Sequence, residues 1–174
     1  MTNYFKIGKL VATYGLKGEF ILKHSLGKKT SLKNLEVFFI EENTNLFIPY
    51  FIESTKAKNN NEVYVNLDGI KSKESAHKLV QSEVWLLEKD FKKFVSNSAP
   101  ISLLGFTMIS KDVELGEILE VIEQPHQVVC RISLNGNDAL IPVHSDSLQK
   151  IDKEKRQVYV TLPDGLLDIY TSSA

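Results

Sequence analysis

Short runs of apolar and β-branched residues, separated by polar turns, recur along the whole chain. In residues 63–67, Val-Tyr-Val-Asn-Leu, buried-type and exposed-type side chains alternate as in a strand with one covered face. Many short strands divided by turns are typical of an all-β protein. In the first half of the chain the pattern predicts strands at residues 6–13, 19–24, 36–40, 46–52, 62–67 and 83–87. Pro49 predicts an edge position or a bulge in the fourth of these strands, because proline cannot donate to a ladder.

One helical segment interrupts the strands. Ser72 is suited to cap a helix, Glu74 suits its positive first turn, and Ala76, Leu79 and Val80 form an apolar stripe at helical spacing. The pattern predicts a helix of about two turns that depends on tertiary packing.

A linker is predicted where charged and small polar residues with Pro100 break the strand pattern, between residues 88 and 102. We therefore divide the chain into domains at 1–90 and 102–174, joined by a linker at 91–101. The second domain has predicted strands at 106–110, 116–122, 128–134, 138–143 and 157–162, and Asn135-Gly136 predicts a tight hairpin turn. This organisation favours two small barrels, or one barrel and a sandwich.

The composition is that of a folded chain, with 43% hydrophobic and 25% charged residues. Its apolar runs are far shorter than the roughly 18 residues of a membrane span, and its N-terminus lacks the pattern of a secretory signal. The single cysteine, Cys130, agrees with a reducing compartment. We expect a cytoplasmic monomer that does not bind membranes.

The net charge of −1 conceals two opposed halves. Residues 1–96 carry 15 Lys against 11 acids, whereas residues 97–174 carry 6 Lys plus Arg against 11 acids. Within residues 1–35, seven lysines face one acid, Glu19. Clustered lysines among aromatic residues suit phosphate binding and base stacking, although a merely solvated surface gives the same pattern. The candidates for binding RNA or the ribosome are Lys9, Tyr14, Lys17, Lys23, Lys28 and Lys29.

No catalytic constellation is evident. Cys130 shares a strand face with Val128 and Ile132, which predicts a core position. His126, Cys130 and His144 do not have the spacing of a zinc site, and Ser145 cannot form a triad with its sequence neighbours. No phosphate-binding glycine loop is present. We expect no catalytic residue, no metal and no cofactor.

Three glycines lie within eleven residues near the N-terminus, at Gly8, Gly15 and Gly18. Glycine supplies a tight turn or a close backbone approach, so we expect structural roles for all three as loop glycines. Gly15 and Gly18 bracket a predicted loop that presents Tyr14 and Lys17, for which a plain turn and a binding loop are both open interpretations.

The stretch I-G-K-L-V-A-T-Y-G-L-K-G-E-F, residues 7–20, resembles the opening signature of the RimM family of bacterial ribosome maturation factors. Further similar segments follow in the family's order. They are residues 66–70 with the helix at 73–80, Leu104-Gly105-Phe106, Leu115-Gly116-Glu117-Ile118, Leu140-Ile141-Pro142, Ile151-Asp152 and Leu-Pro-Asp-Gly-Leu-Leu-Asp at 162–168.

The resemblance implies a six-stranded N-terminal barrel, similar to the second domain of elongation factors, and a C-terminal PRC-type barrel. It implies a non-enzyme that assists late maturation of the 30S subunit and processing of 16S rRNA. Family members bind the head of the immature subunit chiefly through small-subunit ribosomal protein nineteen, which contacts the C-terminal barrel and linker. The corresponding candidates here are Leu104, Gly105, Phe106, His126 and Gln127.

The linker departs from the family pattern, since residues 98–103 lack the paired aromatics and the W-x-D-L found in many members. No linker residue is therefore assigned a role. A generic PRC-barrel protein-interaction module without an RNA role is the alternative.

Overall fold

The alternating pattern of the first half of the chain forms a closed six-stranded barrel. A computed structural model describes residues 2–172, and the chain divides into two units, Met1–Ser102 and Leu103–Ala174. The strands of the N-terminal unit are β1 (Tyr4–Tyr14), β2 (Glu19–His24), β3 (Val37–Asn43), β4 (Leu46–Ala57), β5 (Glu62–Leu67) and β6 (Glu83–Leu87). They follow one another around the barrel as β1-β2-β5-β4-β3-β6. Closure gives every strand two neighbours, which removes open sheet edges.

Alternate side chains of these strands fill the barrel. Phe20 and Leu22 of β2 and Val63 of β5 are fully buried, while Ile21 and Lys23 point to the other face. The same two-residue period therefore determines both the core and the chemistry of the outer surface.

Pro49 lies in β4, opposite Phe39 of β3. The ladder between β4 and β5 begins only at Ile52, so the first half of β4 has its ladder partner on one side. Pro49 therefore lies in a stretch of β4 that is paired on one side only, where its missing amide hydrogen is tolerated.

The helix predicted after Ser72 is α1 (Lys73–His77), and the Ser72 hydroxyl accepts a hydrogen bond from the Ser75 amide as an N-cap. It is shorter than predicted, because Leu79 and Val80 already lie in the turn that ends at Gln81, whose φ is +73°.

A second helix, α2 (Glu88–Phe94), occupies a segment that the sequence pattern did not predict as helical. Phe91 of α2 is buried against Phe5 with their ring centroids 5.1 Å apart. The predicted linker at 91–101 thus begins inside α2 and contains buried Val95 and Ala99, and a 3-10 helix follows at Pro100–Leu103.

The second unit is a six-stranded sheet. Its strands are β7 (Thr107–Ser110), β8 (Val113–Gln124), β9 (Gln127–Leu134), β10 (Asn137–Val143), β11 (Leu148–Asp152) and β12 (Gln157–Val160), in the order β10-β9-β8-β7-β12-β11. The β7–β12 pair is parallel, and a short helix, α3 (Asp168–Thr171), follows.

The all-β prediction is confirmed, with six strands in each unit. The Asn135-Gly136 turn is confirmed as well, since both residues have positive φ and join β9 to β10. Strand β11 was not predicted. Within residues 2–172, no helix is long and apolar enough to cross a bilayer.

Candidate nucleic-acid interface

The antiparallel pair β1–β2 carries most of the predicted RNA-binding residues. Lys9 of β1 and Lys23 of β2 are directly opposite each other and both are exposed. They point outward because their neighbours Leu10 and Leu22 fill the core. Two ammonium groups on adjacent strands form a local positive surface on the barrel.

An acid on the next strand does not cancel this charge. Glu62 of β5 lies opposite Lys23, but its carboxylate binds the Lys58 ammonium at 2.7 Å. The pKa of Glu62 is lowered first by the hydrogen bond from Lys58 and then by that from Asn59, with Lys23 adding a weaker charge effect. Glu62 is thus committed to a different lysine.

Two tyrosines lie side by side at the loop end of the hairpin. The rings of Tyr14 and Tyr64 have centroids 4.6 Å apart, and Tyr14 is 50% exposed. An exposed ring held by a second ring provides a rigid face on which a base can stack. The structure therefore places an aromatic surface on the same hairpin as Lys9 and Lys23.

The loop between β1 and β2 presents Lys17 to solvent. Gly15 and Gly18 have φ values of +68° and +84°, as their predicted turn requires. A Cβ on Gly18 would lie 3.0–3.1 Å from backbone atoms of Ile70 and Ser72, so the loop packs closely on the segment before α1. Leu16 at its tip is 82% exposed, a feature that was not predicted.

Gly8 lies inside β1, which corrects its prediction as a loop glycine. It sits opposite His24, at a shift in the register between β1 and β6. A Cβ there would collide with the Lys23 carbonyl oxygen and the His24 Cα. Its role is a close approach of two strands, beside a buried imidazole whose pKa is lowered by burial.

Lys28 and Lys29 belong to a different end of the barrel. They are exposed in the connection after β2, whereas Lys17 precedes that strand. Because β2 is six residues long, about 20 Å separate its two ends. The lysines of residues 1–35 therefore form an extended track along the hairpin.

Most lysines of this track have no acidic partner. Lys6 forms an ion pair with Glu83 at 3.2 Å. Among residues 2–172, no ion pair is formed by the candidate lysines, namely Lys9, Lys17, Lys23, Lys28 and Lys29. They remain available to an external anion.

The candidates at the start of the second unit are mainly structural. Leu104 is buried and its carbonyl accepts a hydrogen bond from Arg156, whose guanidinium also lies 5.4 Å from the centre of the Phe106 ring. Gly105 has a φ of +77°, and its amide donates to the Ile118 carbonyl. Phe106 is half-buried and keeps part of its ring accessible.

His126 and Gln127 are exposed at the turn between β8 and β9. The Phe106 carbonyl accepts a hydrogen bond from the Ile118 amide, and Gln124, at this turn, lies six positions after Ile118 in β8. That distance is about 20 Å along the strand, so the two groups of protein-binding candidates do not form one cluster.

Chemistry at Cys130 is disfavoured by its surroundings. The thiol is fully buried, and burial raises its pKa to about 12, far from the range of a reactive thiolate. His144 is exposed and accepts a hydrogen bond from the Asp146 amide within a turn. In residues 2–172, no group of three or more His, Cys, Asp or Glu side chains is arranged to hold a metal ion.

The two six-stranded units define an all-β protein. The chain belongs to the RimM family: residues 5–91 match the RimM N-terminal domain and residues 100–166 match the RimM PRC barrel domain.

Two relatives of similar length agree with this assignment. The ribosome maturation factor RimM of Parabacteroides distasonis is 32% identical and that of Phocaeicola vulgatus 30%, each over at least 94% of this chain and 96% of its own. The solution structure of the N-terminal domain of RimM from Thermus thermophilus matches 51% of this chain and 93% of its own, at 24% identity and a TM-score of 0.41.

Proposed function

We propose that this protein is a ribosome maturation factor without catalytic activity. It binds the head of the immature 30S subunit and assists late assembly and processing of 16S rRNA. The observation that carries the proposal is a family assignment over both units, combined with five exposed lysines that form no ion pair among residues 2–172, namely Lys9, Lys17, Lys23, Lys28 and Lys29.

The N-terminal barrel is assigned to rRNA. Lys9, Lys17, Lys23, Lys28 and Lys29 neutralise phosphates, and Tyr14 stacks on a base. This binding does not depend on base sequence, and it selects a folded rRNA surface by the spacing of its phosphates along about 20 Å of the hairpin.

The second unit is assigned to small-subunit ribosomal protein nineteen. Residues 103–174 carry 6 basic and 11 acidic side chains, a balance that suits a basic partner. Phe106, His126 and Gln127 are its accessible candidate contacts, whereas Leu104 and Gly105 hold the backbone. The protein acts as a cytoplasmic monomer.

Sedimentation with purified immature and mature small subunits, at low and high salt, tests the proposal. We expect co-migration with immature subunits that weakens steeply as salt rises. Replacing Lys9, Lys17, Lys28 and Lys29 with Ala should abolish it. The matched control replaces the same number of lysines in the second unit, Lys111, Lys150, Lys153 and Lys155, and should retain binding.

The alternative is a PRC-barrel protein-interaction module with no RNA role, which the acidic second unit favours. Unchanged subunit binding by the folded N-terminal lysine variant would support this module. Absence from both kinds of subunit at low salt would contradict the ribosomal assignment altogether.

A further inference from the structure

A group of aromatic side chains covers the outside of the N-terminal barrel on the strands away from β2 and β5. Buried Phe38 and Ile40 of β3 and buried Val84 and Leu86 of β6 fill the interior, so the residues between them point outward. We name this outer surface the aromatic face. It consists of Tyr4, Phe39, Phe47, Pro49, Phe51 and Trp85.

The aromatic face is continuous across four strands. Phe39 lies between Pro49 and Trp85 in register, which joins β4, β3 and β6. The Tyr4 ring stacks on Phe47 at 4.2 Å and meets the edge of Phe39 at 4.9 Å. These contacts hold the rings as one rigid surface.

Parts of this surface are open to solvent although they are apolar. Phe51 is 58% exposed, Pro49 is exposed, and Leu46 at the start of β4 is 47% exposed. The Trp85 indole N–H is buried without a hydrogen-bond partner among residues 2–172. Contiguous exposed apolar surface is characteristic of an interaction site.

The charge around the aromatic face is negative, since Lys6, which lies opposite Trp85, is paired with Glu83. Residues 34–55, which include β3 and most of β4, contain four acids, Glu36, Glu41, Glu42 and Glu53, and no Lys or Arg. Glu41 lies opposite Phe47. Glu53 is paired with Lys71, but within residues 2–172 no ion pair engages Glu36, Glu41 or Glu42. The charge of Glu42 acts on this hairpin, since burial and then Glu42 raise the pKa of Tyr50.

This combination selects one kind of occupant. Carboxylates repel the phosphates of a nucleic acid, so the rings are poorly placed for stacking on bases. They attract arginine and lysine, and aromatic faces add a cation–π contribution that favours the planar guanidinium of arginine. We propose that the aromatic face binds an arginine-rich segment of another protein. This surface adjoins the lysine track at Lys6, which lies opposite Trp85 and is paired with Glu83. The proposal does not depend on the rRNA assignment.

The chain contains a single tryptophan, Trp85, and it lies in the aromatic face. Its fluorescence therefore reports binding at this surface rather than elsewhere. The probe is an alternating arginine–glycine dodecapeptide titrated into the full chain. We expect a saturable change in Trp85 emission, a higher affinity than for the lysine–glycine analogue, and no change with a glutamate–glycine peptide.

Two sets of variants test the location. Glu41→Lys with Glu42→Lys reverses the charge beside Phe47, and Phe51→Ser removes an exposed ring; each should raise the Kd about tenfold. The matched control reverses two exposed acids of the second unit, Glu117→Lys with Glu123→Lys, and should keep the Kd within about twofold of the wild-type value. None of these side chains is buried in the core, and circular dichroism confirms folding of each variant.

Three results would overturn the proposal. The first is a Kd that is the same in the charge-reversed, Phe51→Ser and control variants. The second is an equal Trp85 response to oligouridine that Phe51→Ser weakens and that Glu41→Lys with Glu42→Lys strengthens, which would make the face an RNA site. The third is self-association of the chain that Phe51→Ser abolishes, which would make a second copy the occupant.

Discussion

At the scale of single residues, Gly8 carries the most specific demand of the backbone. The φ of Gly8 is not positive, so its backbone conformation does not require glycine. A side chain is excluded because its Cβ would collide with the Lys23 carbonyl oxygen. We expect Gly8→Ala to lower the free energy of unfolding by about 1–3 kcal/mol through forced strand separation. Denaturant unfolding followed by Trp85 emission measures this in the N-terminal unit.

Gly69→Ala is the matched comparison. A Cβ at position 69 would meet no atom within 4 Å, but the φ of Gly69 is +80°. Only the backbone conformation therefore opposes the substitution, which should lower the free energy of unfolding by about 1 kcal/mol. Equal losses in the two variants would show that steric contact with Lys23 is not what requires glycine at position 8.

Predictions for single residues were confirmed where the local backbone conformation determines which residue type a position accepts. Gly15 and Gly18 have the positive φ that their spacing indicates, and Asn135 with Gly136 form the expected turn. The exposure of Phe51 was not predictable, because an apolar residue in an alternating run can face either side of a sheet. Only the register of β4 against β3, in which Phe51 lies opposite Val37, shows that Phe51 faces outward.

At the scale of elements, the missed helix α2 shows how charge can mislead. Glu88 and Asp90 in its first turn and Lys92 and Lys93 in its last complement the helix dipole, and Glu88 pairs with Lys92 at 2.8 Å. The same charges suggest a solvated linker when only their polarity is considered. Phe91 at the centre was the signal for an amphipathic helix.

The role of α2 leads to a prediction for Phe91→Ala. Phe91 is 2% exposed and packs on Phe5, so its truncation leaves a cavity beside Phe5 and should cost about 3–5 kcal/mol. Half-buried Phe94→Ala should cost less. The unfolding midpoint from Trp85 emission measures both variants. An unchanged midpoint for Phe91→Ala would mean that this segment behaves as the linker that the sequence predicts.

Strand β11 was missed for a different reason. Its sequence Leu-Gln-Lys-Ile-Asp contains two apolar residues, and Ile151 is exposed. Pairing with β12 across the turn at residues 153–156 makes it a strand. Such pairing depends on tertiary context that a five-residue pattern does not contain.

At the scale of the whole molecule, the sequence shows a basic first half and an acidic second half. It does not show that the first half carries two different surfaces. Residues 1–35 hold an excess of six positive charges, and residues 34–55 hold four acids without a base. Folding into a barrel puts the first set on β1, β2 and their loops and the second on the β3–β4 hairpin. The N-terminal unit thus has two surfaces of opposite charge, which meet at the Lys6–Glu83 ion pair and which net charge alone conceals.

The extended lysine track predicts how binding to immature subunits depends on salt. Each lysine that neutralises a phosphate contributes about 0.7–0.9 to the slope of log affinity against log salt. We expect Lys17→Ala to reduce the slope by about 1, and Lys28→Ala with Lys29→Ala to reduce it by about 2. Because β2, about 20 Å long, lies between these sites, their effects should add in the combined variant.

Tyr14→Ala is the uncharged control at the same end of the hairpin as Lys17. Losing a stacking ring should weaken affinity equally at every salt concentration, by about 1–3 kcal/mol, and leave the slope unchanged. Sedimentation at a series of salt concentrations measures both quantities. If only the lysines at one end alter the slope, the rRNA crosses the barrel at that end, and the path along the hairpin is wrong.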